Sequence, residues 1–234
     1  MSNPVQLQFD QKLALALIDD GKANVFSHAM IDRLHAVLDE VEGNEAARAL
    51  VLTGRDNRFS AGFDLSVMSA GNEAVRGLVG AGARLALRLY EYPKPLVMAC
   101  TGHALAMGAI ALFTADWRTG ANGAFKIGMN ETAIGMTMPE FGAELARDRL
   151  AATHYTRAVV GAEILSPPEA VLAGYLDEVV DPLSVVDFAC VQAERLAALH
   201  PRAFAATKRR TRAATVARIR AGLEADLAGL GGPG

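Results

Sequence analysis

Hydrophobic and polar positions along the chain predict an ordered series of strands and helices. Two short apolar stretches, residues 5–9 and 13–18, flank a polar turn and predict a β-hairpin. Residues 27–44 place apolar side chains on one helical face behind Ser27, a residue type that caps helix N-termini. Residues 48–54 form a continuous apolar run, which is typical of a strand buried on both faces.

The middle of the chain continues this alternation around a polar loop. Residues 55–71 are polar and contain glycine, so they predict a loop, and a helix is predicted over roughly 73–91. Residues 94–102 predict a second buried strand, and the small residues of 104–115 predict a helix directly after it. This order of elements predicts an α/β fold with crossover connections between strands.

The pattern of the last third of the chain is helical. Long helices are predicted over residues 183–199 and roughly 203–229. We therefore expect a core over residues 1–180, followed by a C-terminal helical region over residues 181–234.

Composition and charge exclude several classes of protein. The chain has 234 residues, 51% of them hydrophobic, and a formal net charge of −3, which gives no basic field for nucleic acid. The apolar runs fall short of the roughly 20 residues that a membrane helix needs, and no secretion signal is visible. The two cysteines suggest a reducing, cytoplasmic setting, and the five histidines show no metal-binding spacing. We expect a cytoplasmic protein that binds no nucleic acid, membrane or metal.

Two segments that follow predicted strands are candidates for binding an anion. "RFSAGFDL" (58–65) and "CTGHALAMGAIAL" (100–112) are rich in small residues. Small residues let a ligand approach the backbone closely, and the start of a helix presents unpaired N–H groups that stabilise an oxyanion. Each segment taken alone also fits an ordinary surface loop or a tight strand-to-helix turn.

Two further segments carry charge in informative surroundings. "MNETAIGM" (129–136) holds one acid, Glu131, among small and apolar residues. This carboxylate is either an exposed loop charge or a proton carrier in an apolar pocket, where loss of solvation would raise its pKa. "TKRRTR" (207–212) is a basic cluster on a late helix, and it is either a solvated face or a phosphate contact.

Together these segments resemble the crotonase superfamily, the enoyl-CoA hydratase/isomerase family. The resemblance covers nearly the whole chain and rests on four segments in the family's order: "FSAGFDL" after "LVLTG", "KPLVMACTGHALAMGAIAL", "IGMNETAIGMTMP" and "LSPPEAVLAGYLDEVV". It implies a crotonase-like superhelix of ββα turns with a C-terminal helical region, assembled as a homotrimer or hexamer. It also implies an acyl-CoA thioester substrate, with coenzyme A as part of that substrate and no separate cofactor.

The resemblance also assigns roles to individual residues. The backbone N–H groups of Phe63 and Met107 are expected to hold the thioester oxygen as it becomes an enolate, and Glu131 is expected to move the proton. The expected contacts to coenzyme A or substrate are Ala61, Asp64, Leu65, Gly108 and Lys208. The candidate apolar lining of an acyl site is Phe26, Val67, Met68, Leu78 and Phe141.

One departure from the family pattern bears on the reaction. Hydratases of this family carry a second acid early in the helix after the second turn, as in "GGGCEL", whereas this chain has Ile110 there. Adding water needs two groups, but moving a double bond needs only one carboxylate, and "MNETAIGM" is similar to the "LNETQLG" of Δ3,Δ2-enoyl-CoA isomerases. We therefore favour double-bond isomerisation. Two alternatives stay open: a hydratase or other lyase that uses Glu144 or Glu140, and a degenerate acyl-CoA-binding protein.

Overall fold

A computed structural model describes residues 3–230, and within them strands and helices are interleaved along the chain. The strands are β1 (Val5–Asp10), β2 (Leu13–Ile18), β3 (Ala49–Gly54), β4 (Asn57–Ser60), β5 (Leu96–Cys100), β6 (Gly102–Leu105), β7 (Trp117–Ala121), β8 (Ile127–Gly128) and β9 (Glu178–Val180). The helices are α1 (His28–Gly43), α2 (Leu65–Met68), α3 (Asn72–Tyr90), α4 (Met107–Leu112), α5 (Glu140–Arg149), α6 (Ala152–Val159), α7 (Pro167–Ala173), α8 (Val185–Ala197) and α9 (Pro201–Gly229).

The larger sheet has the strand order β1-β2-β3-β5-β7-β9 within the described residues. β1 and β2 pair antiparallel, which confirms the predicted hairpin, and each later neighbour pairs in parallel. Every residue of β3 and β5 is buried, as their continuous apolar sequences predict.

The smaller sheet is the feature that positions the candidate site. It consists of the parallel strands β4-β6-β8, and these follow β3, β5 and β7 of the larger sheet along the chain. Each such pair of strands leads into helical structure, so the expected ββα turns and α/β fold are confirmed. Because the three strands are parallel, their carboxyl ends lie at one edge of the sheet.

Several short strands and helices were not predicted from the sequence. The predicted loop 55–71 contains β4 and α2, and the predicted strand 94–102 is split into β5 and β6 at Thr101. The Thr101 hydroxyl donates to the Arg55 carbonyl at 2.9 Å, and a Cβ at Gly102 would lie 2.0 Å from the Asn57 carbonyl carbon. The chain therefore turns from one sheet to the other at a threonine and a glycine. β7, β8 and β9 were not predicted because they are short or polar.

The C-terminal helices pack against the core from two sides. α8 covers the larger sheet with its small side chains, among them Val185, Ala189 and Ala193. α9 packs against α5 and α3. No helix within residues 3–230 is long and apolar enough to cross a membrane. The end of the predicted C-terminal region, residues 231–234, lies outside the described residues.

Candidate active site

The carboxyl ends of the smaller sheet bring the three main candidate groups to one edge. Phe63 follows the end of β4, Met107 follows the end of β6, and Glu131 follows the end of β8. Leu105 of β6 pairs with Gly128 of β8, and the Ala106 N–H donates to the Gly128 carbonyl at 3.0 Å. Residues that are far apart in sequence thus meet because parallel strands end together.

The first turn, after β4, is fixed by hydrogen bonds and by a glycine. The Ser60 hydroxyl donates to the Asn24 carbonyl at 2.6 Å and accepts from the Gly62 N–H at 3.1 Å. Gly62 has φ +98°, and a Cβ there would lie 2.8 Å from the Ala106 Cβ and 3.4 Å from the Met107 nitrogen. Only glycine therefore allows the two turns to come this close.

The second turn, after β6, has a strained residue at its tip. Ala106 caps α4 with φ 49° and ψ −125°, a conformation that L-residues rarely adopt. On its far side, a Cβ at Gly108 would lie 2.5 Å from the Ser60 carbonyl oxygen. The turns are interlocked through Gly62 and Gly108, so the direction of the Met107 N–H is set by packing.

The two expected backbone donors make no backbone hydrogen bond within the described residues. Neither the Phe63 N–H nor the Met107 N–H has a backbone acceptor within residues 3–230. The Phe63 ring packs on α3, where a Cβ at Gly82 would lie 2.4 Å from it. The Phe63 side chain is thereby held against α3.

Glu131 is a buried acid, and one of its carboxylate oxygens is unpaired within the described residues. Its side chain is 5% exposed, and its Oε2 accepts no hydrogen bond from any residue of the described chain. Burial raises the pKa of Glu131 to about 7, and its own backbone N–H opposes that shift. A carboxyl group that titrates near neutral pH is suited both to accept and to return a proton. The structure thus places this acid in a buried setting and not on an exposed loop.

The two possible second acids face α9. The Glu144 carboxylate is bound by Arg218 of α9 and by Arg147. Burial raises the pKa of Glu144, but the two arginines lower it by more, so the pKa lies below its ordinary value. The Glu140 carboxylate lies against Gly222 of α9, where an added Cβ would be 2.0 Å from Oε2. Neither acid is directed toward the edge that holds Glu131.

The Ile110 side chain is buried in an apolar contact with the region of Met138 and Gly142. It is fully buried on α4, and its Cδ1 would lie 2.8 Å from a Cβ at Gly142, beside the Met138 sulfur. The position at which the family resemblance implies a second acid in hydratases is therefore filled, in this chain, by packing between α4 and α5.

Lys208 is placed differently from the expectation that it binds a phosphate of coenzyme A. It is 6% exposed, and its ammonium donates to the Asp116 carboxylate at 2.6 Å. Arg212 binds the other oxygen of Asp116 at 2.8 Å. Lys208 thus holds an internal carboxylate, and this pairing does not favour the predicted contact with a phosphate of coenzyme A. The neighbouring Arg209 and Arg210 are exposed.

The remaining candidate residues divide between surface and core. Ala61 and Leu65 are exposed, Asp64 caps α2 by accepting from the Ser66 N–H, and Gly108 is buried at the second turn. In the proposed acyl lining, Val67 and Met68 are partly buried, whereas the other three members lie fully inside the core: Phe26, Leu78 and Phe141.

One buried tyrosine was not among the predicted site residues. Tyr175 is fully buried, and its hydroxyl has no hydrogen-bond partner within residues 3–230. The signal was a tyrosine inside the apolar segment "AGYLDEVV", which by itself indicates only core packing. No cluster of three or more potential metal ligands occurs in the part of the chain that the structure describes.

Comparison with known proteins assigns the family. The enoyl-CoA hydratase/isomerase family profile matches residues 9–231. A solved apo structure of an enoyl-CoA isomerase from Mycobacterium tuberculosis is 40% identical and has a TM-score of 0.93, over 98% of this chain and 100% of that one. Human mitochondrial enoyl-CoA delta isomerase 1 is 30% identical over 87% of this chain and 68% of its own length. A probable enoyl-CoA hydratase of Bacillus subtilis is 28% identical over 87% of this chain and 80% of its own. This chain therefore belongs to the enoyl-CoA hydratase/isomerase family.

Proposed function

We propose that this enzyme moves the double bond of a 3-enoyl-CoA thioester into conjugation, giving the 2-enoyl-CoA. The observation that carries the proposal is the solitary buried carboxyl group of Glu131, whose pKa of about 7 matches a group that both takes and gives a proton. The apolar contact at Ile110 supports the same conclusion, because it fills the place of a second acid.

The reaction proceeds through one enolate. The Glu131 carboxylate removes a proton from the carbon next to the thioester carbonyl, and the C–H electron pair forms a dienolate whose negative charge lies on the thioester oxygen. The double bond moves to the α,β position when this dienolate collapses and the γ-carbon is protonated. The Phe63 and Met107 N–H groups donate to that oxygen. Glu131, now a carboxylic acid, returns the proton to the γ-carbon. Loss of one preorganised donor of this kind costs roughly 10²–10³ in rate, so the interlocked turns are central to the proposal.

Hydration is the second candidate, and a specific observation favours it: a relative that this chain matches over 87% of its length is named a probable hydratase. Hydration would need a second group to orient or deprotonate water. Glu140 and Glu144 face α9, so a shift of α5 or α9 would have to bring one of them to the substrate.

Incubation with 3-enoyl-CoA and 2-enoyl-CoA in separate reactions tests the choice. Isomerisation predicts formation of 2-enoyl-CoA from the first substrate and little 3-hydroxyacyl-CoA from the second. Efficient hydration of 2-enoyl-CoA would overturn the one-acid mechanism. Binding of both substrates without turnover of either would point instead to a degenerate acyl-CoA-binding protein.

We propose that Arg209 and Arg210, rather than Lys208, contact the phosphates of coenzyme A. Both arginines are exposed on α9, and guanidinium groups bind phosphate oxygens through paired hydrogen bonds. Since exposed charges are screened over about 8 Å at physiological ionic strength, the affinity for acyl-CoA should fall with added salt.

We further propose assembly as a homotrimer or hexamer through α8 and α9. Leu183, just before α8, is 94% exposed, and Phe188 and Val191 on α8 are also exposed. Two cavities of about 300 and 600 Å³ share Leu196, Leu199 and Phe204 at the junction of these helices. A stable monomer at micromolar concentration in analytical ultracentrifugation would refute this proposal.

A further inference from the structure

Helix α3 carries three glycines in its interior. They are Gly77, Gly80 and Gly82, within the segment "GLVGAGAR" (77–84). Glycine weakens the interior of a helix relative to alanine, because more backbone freedom is lost on folding. That loss is offset only where a side chain would collide with a neighbour.

The three glycines differ in what an added Cβ would meet. At the exposed Gly77, no atom outside its own stretch of helix lies within 4 Å in the described part of the chain. At Gly80, the Cβ would lie 3.1 Å from Leu227 Cδ1 of α9. At the buried Gly82, it would lie 2.4 Å from Phe63 Cζ and 2.5 Å from Phe63 Cε1. Gly82 is therefore the one of the three at which a side chain would collide with an expected oxyanion residue.

The side chain of the second expected donor reaches the same point on α3. Met107 is fully buried, and its Cε lies 3.8 Å from the position of a Cβ at Gly82, an ordinary van der Waals contact. The two residues whose backbone N–H groups are expected to hold the thioester oxygen thus both pack their side chains against Gly82.

The donor peptide of the first turn is anchored on its opposite side. The peptide between Gly62 and Phe63 carries the Phe63 N–H, and its carbonyl accepts from the Phe26 N–H at 2.8 Å. Phe26 and Phe63 also form a parallel β-bridge. The Phe63 ring has only two torsions with which to retreat, and rotation away from their preferred values is unfavourable. A displaced ring therefore pulls on the peptide that carries the donor.

A methyl group at Gly82 would demand a large displacement of this ring. Carbon atoms pack at roughly 3.5–4.0 Å, so a Cζ at 2.4 Å must retreat by about 1 Å. The first turn already lies against the second, since a Cβ at Gly62 would be 2.8 Å from the Ala106 Cβ. The turn that carries Phe63 therefore cannot shift without changing its place relative to Met107.

We propose that Gly82 is a positioning residue for the two oxyanion donors. Because α3 has no side chain at this point, the Phe63 ring and the Met107 side chain seat on the helix, and this seating sets the spacing of their N–H groups. This inference rests on the proposed role of Phe63 and Met107 as donors to the thioester oxygen. Such donors stabilise developing charge only when they are in place beforehand, so a shift affects mainly the transition state.

The decisive test measures the thioester carbonyl of a bound saturated acyl-CoA, which can be neither isomerised nor hydrated. Hydrogen bonds from the two donors weaken the carbonyl bond and lower its infrared stretching frequency relative to the free ligand, and isotopic labelling of the carbonyl carbon identifies the band. Gly82→Ala should reduce this downshift by about half at saturating ligand. An unchanged downshift in folded Gly82→Ala overturns the proposal, and so does a wild type whose bound ligand shows no downshift.

The other two glycines of α3 provide matched controls. Gly77→Ala adds a methyl group in open space, so the carbonyl frequency should stay at its wild-type value. Gly80→Ala presses on Leu227 instead of Phe63, and it controls for a general disturbance of packing on α3. A loss of downshift in either control as large as that in Gly82→Ala would show that the effect is not specific to Gly82, and it would also overturn the proposal.

Kinetics in two backgrounds provide the second arm. Gly82→Ala should lower kcat for 3-enoyl-CoA about tenfold with little change in KM. Phe63→Leu removes the ring but keeps the backbone N–H, so in this background Gly82→Ala should lower kcat by less than about twofold. Equal losses in the two backgrounds would contradict an action through the Phe63 ring. If Gly82→Ala loses the downshift but the wild type does not isomerise 3-enoyl-CoA, the inference is supported and the proposed isomerisation fails.

A second variant keeps the test valid if Gly82→Ala does not fold. Cζ is the atom of the Phe63 ring nearest to a Cβ at Gly82, so the hydroxyl of Phe63→Tyr extends the ring toward α3 from the other side of the contact. Phe63→Tyr should also reduce the carbonyl downshift by about half. An unchanged downshift in folded Phe63→Tyr overturns the proposal.

Discussion

Two regions of this protein bury charged groups, and they do so in opposite ways. In the Asp116 cluster (Asp116, Lys208 and Arg212), both carboxylate oxygens are bound: Lys208 donates to one at 2.6 Å and Arg212 to the other at 2.8 Å. In the pocket of Glu131, Oε2 has no partner within the described residues. Both acids are largely shielded from solvent, so burial alone does not distinguish them.

The difference lies in what each arrangement allows. In the Asp116 cluster, Arg212 also donates to the Tyr90 and Thr114 carbonyls, so it ties α9 to the ends of α3 and α4. A fully paired network is stable and has no capacity left for a ligand. An unpaired buried acid is costly to the fold, and such groups concentrate where a reaction needs a perturbed pKa. A buried carboxylate whose oxygens are both paired thus indicates a structural role, and a buried carboxylate with an unpaired oxygen indicates a functional role.

The largest effect should come from breaking the paired network. Asp116→Asn would leave Lys208 and Arg212 buried without a counter-charge, and we expect a loss of about 3–5 kcal/mol in the free energy of unfolding. Urea denaturation measures this change. Asp39, 72% exposed and paired with Arg88, is the matched control, and Asp39→Asn should cost less than about 1 kcal/mol. Equal losses in the two variants would contradict a structural role for the cluster.

Glu131→Gln should lower activity in a protein that still folds, whereas Asp116→Asn should lower stability. It removes the proposed base while keeping the side chain's size, so isomerisation of 3-enoyl-CoA should fall by about 10²-fold or more, with acyl-CoA binding retained. Steady-state kinetics and a binding titration measure the two effects, after circular dichroism has shown that the variant is folded. Glu144→Gln and Glu140→Gln are the controls. If either of these abolishes turnover and Glu131→Gln does not, the assignment of the base is wrong.

The pH dependence of stability should reveal the burial of Glu131 without any substrate. The folded pKa of about 7 exceeds the ordinary value of 4.5, so the folded state binds more protons between these values. The free energy of unfolding therefore decreases as pH rises from about 4.5 to 7 and levels off above that range.

Glu131→Gln should remove this slope, and it should stabilise the protein by roughly 3 kcal/mol at pH 8 relative to the wild type. Urea denaturation at pH 5 and pH 8 gives the comparison. If the free energy of unfolding differs between the wild type and the variant by the same amount at both pH values, the pKa of Glu131 is not raised in the folded protein.

The smallest effect is expected at the exposed end of the basic segment. Arg209→Gln and Arg210→Gln should each weaken acyl-CoA binding roughly twofold to fivefold at low salt, and the difference should vanish as salt screens the charges. Isothermal titration calorimetry at two ionic strengths measures this. Lys12→Gln, at an exposed turn beside β1, is the control for loss of one positive charge. Equal affinities in all three variants would remove Arg209 and Arg210 from the proposed phosphate site.

The sequence predicted those parts of the fold in which local pattern and packing agree. The hairpin and the helix capped by Ser27 were predictable because their apolar positions repeat with the period of the element they form. The buried strands were predictable because they are short continuous apolar runs. In the structure the Ser27 hydroxyl accepts from the Met30 N–H, as its capping role requires. Short strands such as β8, two residues long, have no repeat to detect, since they exist only because a neighbouring strand pairs with them.

At the candidate site the sequence by itself identified the family, the lone acid Glu131 and the two turns of small residues. Only the tertiary structure decided which polar groups are paired. It placed Lys208 against Asp116, and it directed Glu140 and Glu144 to α9. The physical reason is that a charge's role depends on burial and on partners, and those partners come from segments that are distant along the chain and meet only when the sheets and helices pack.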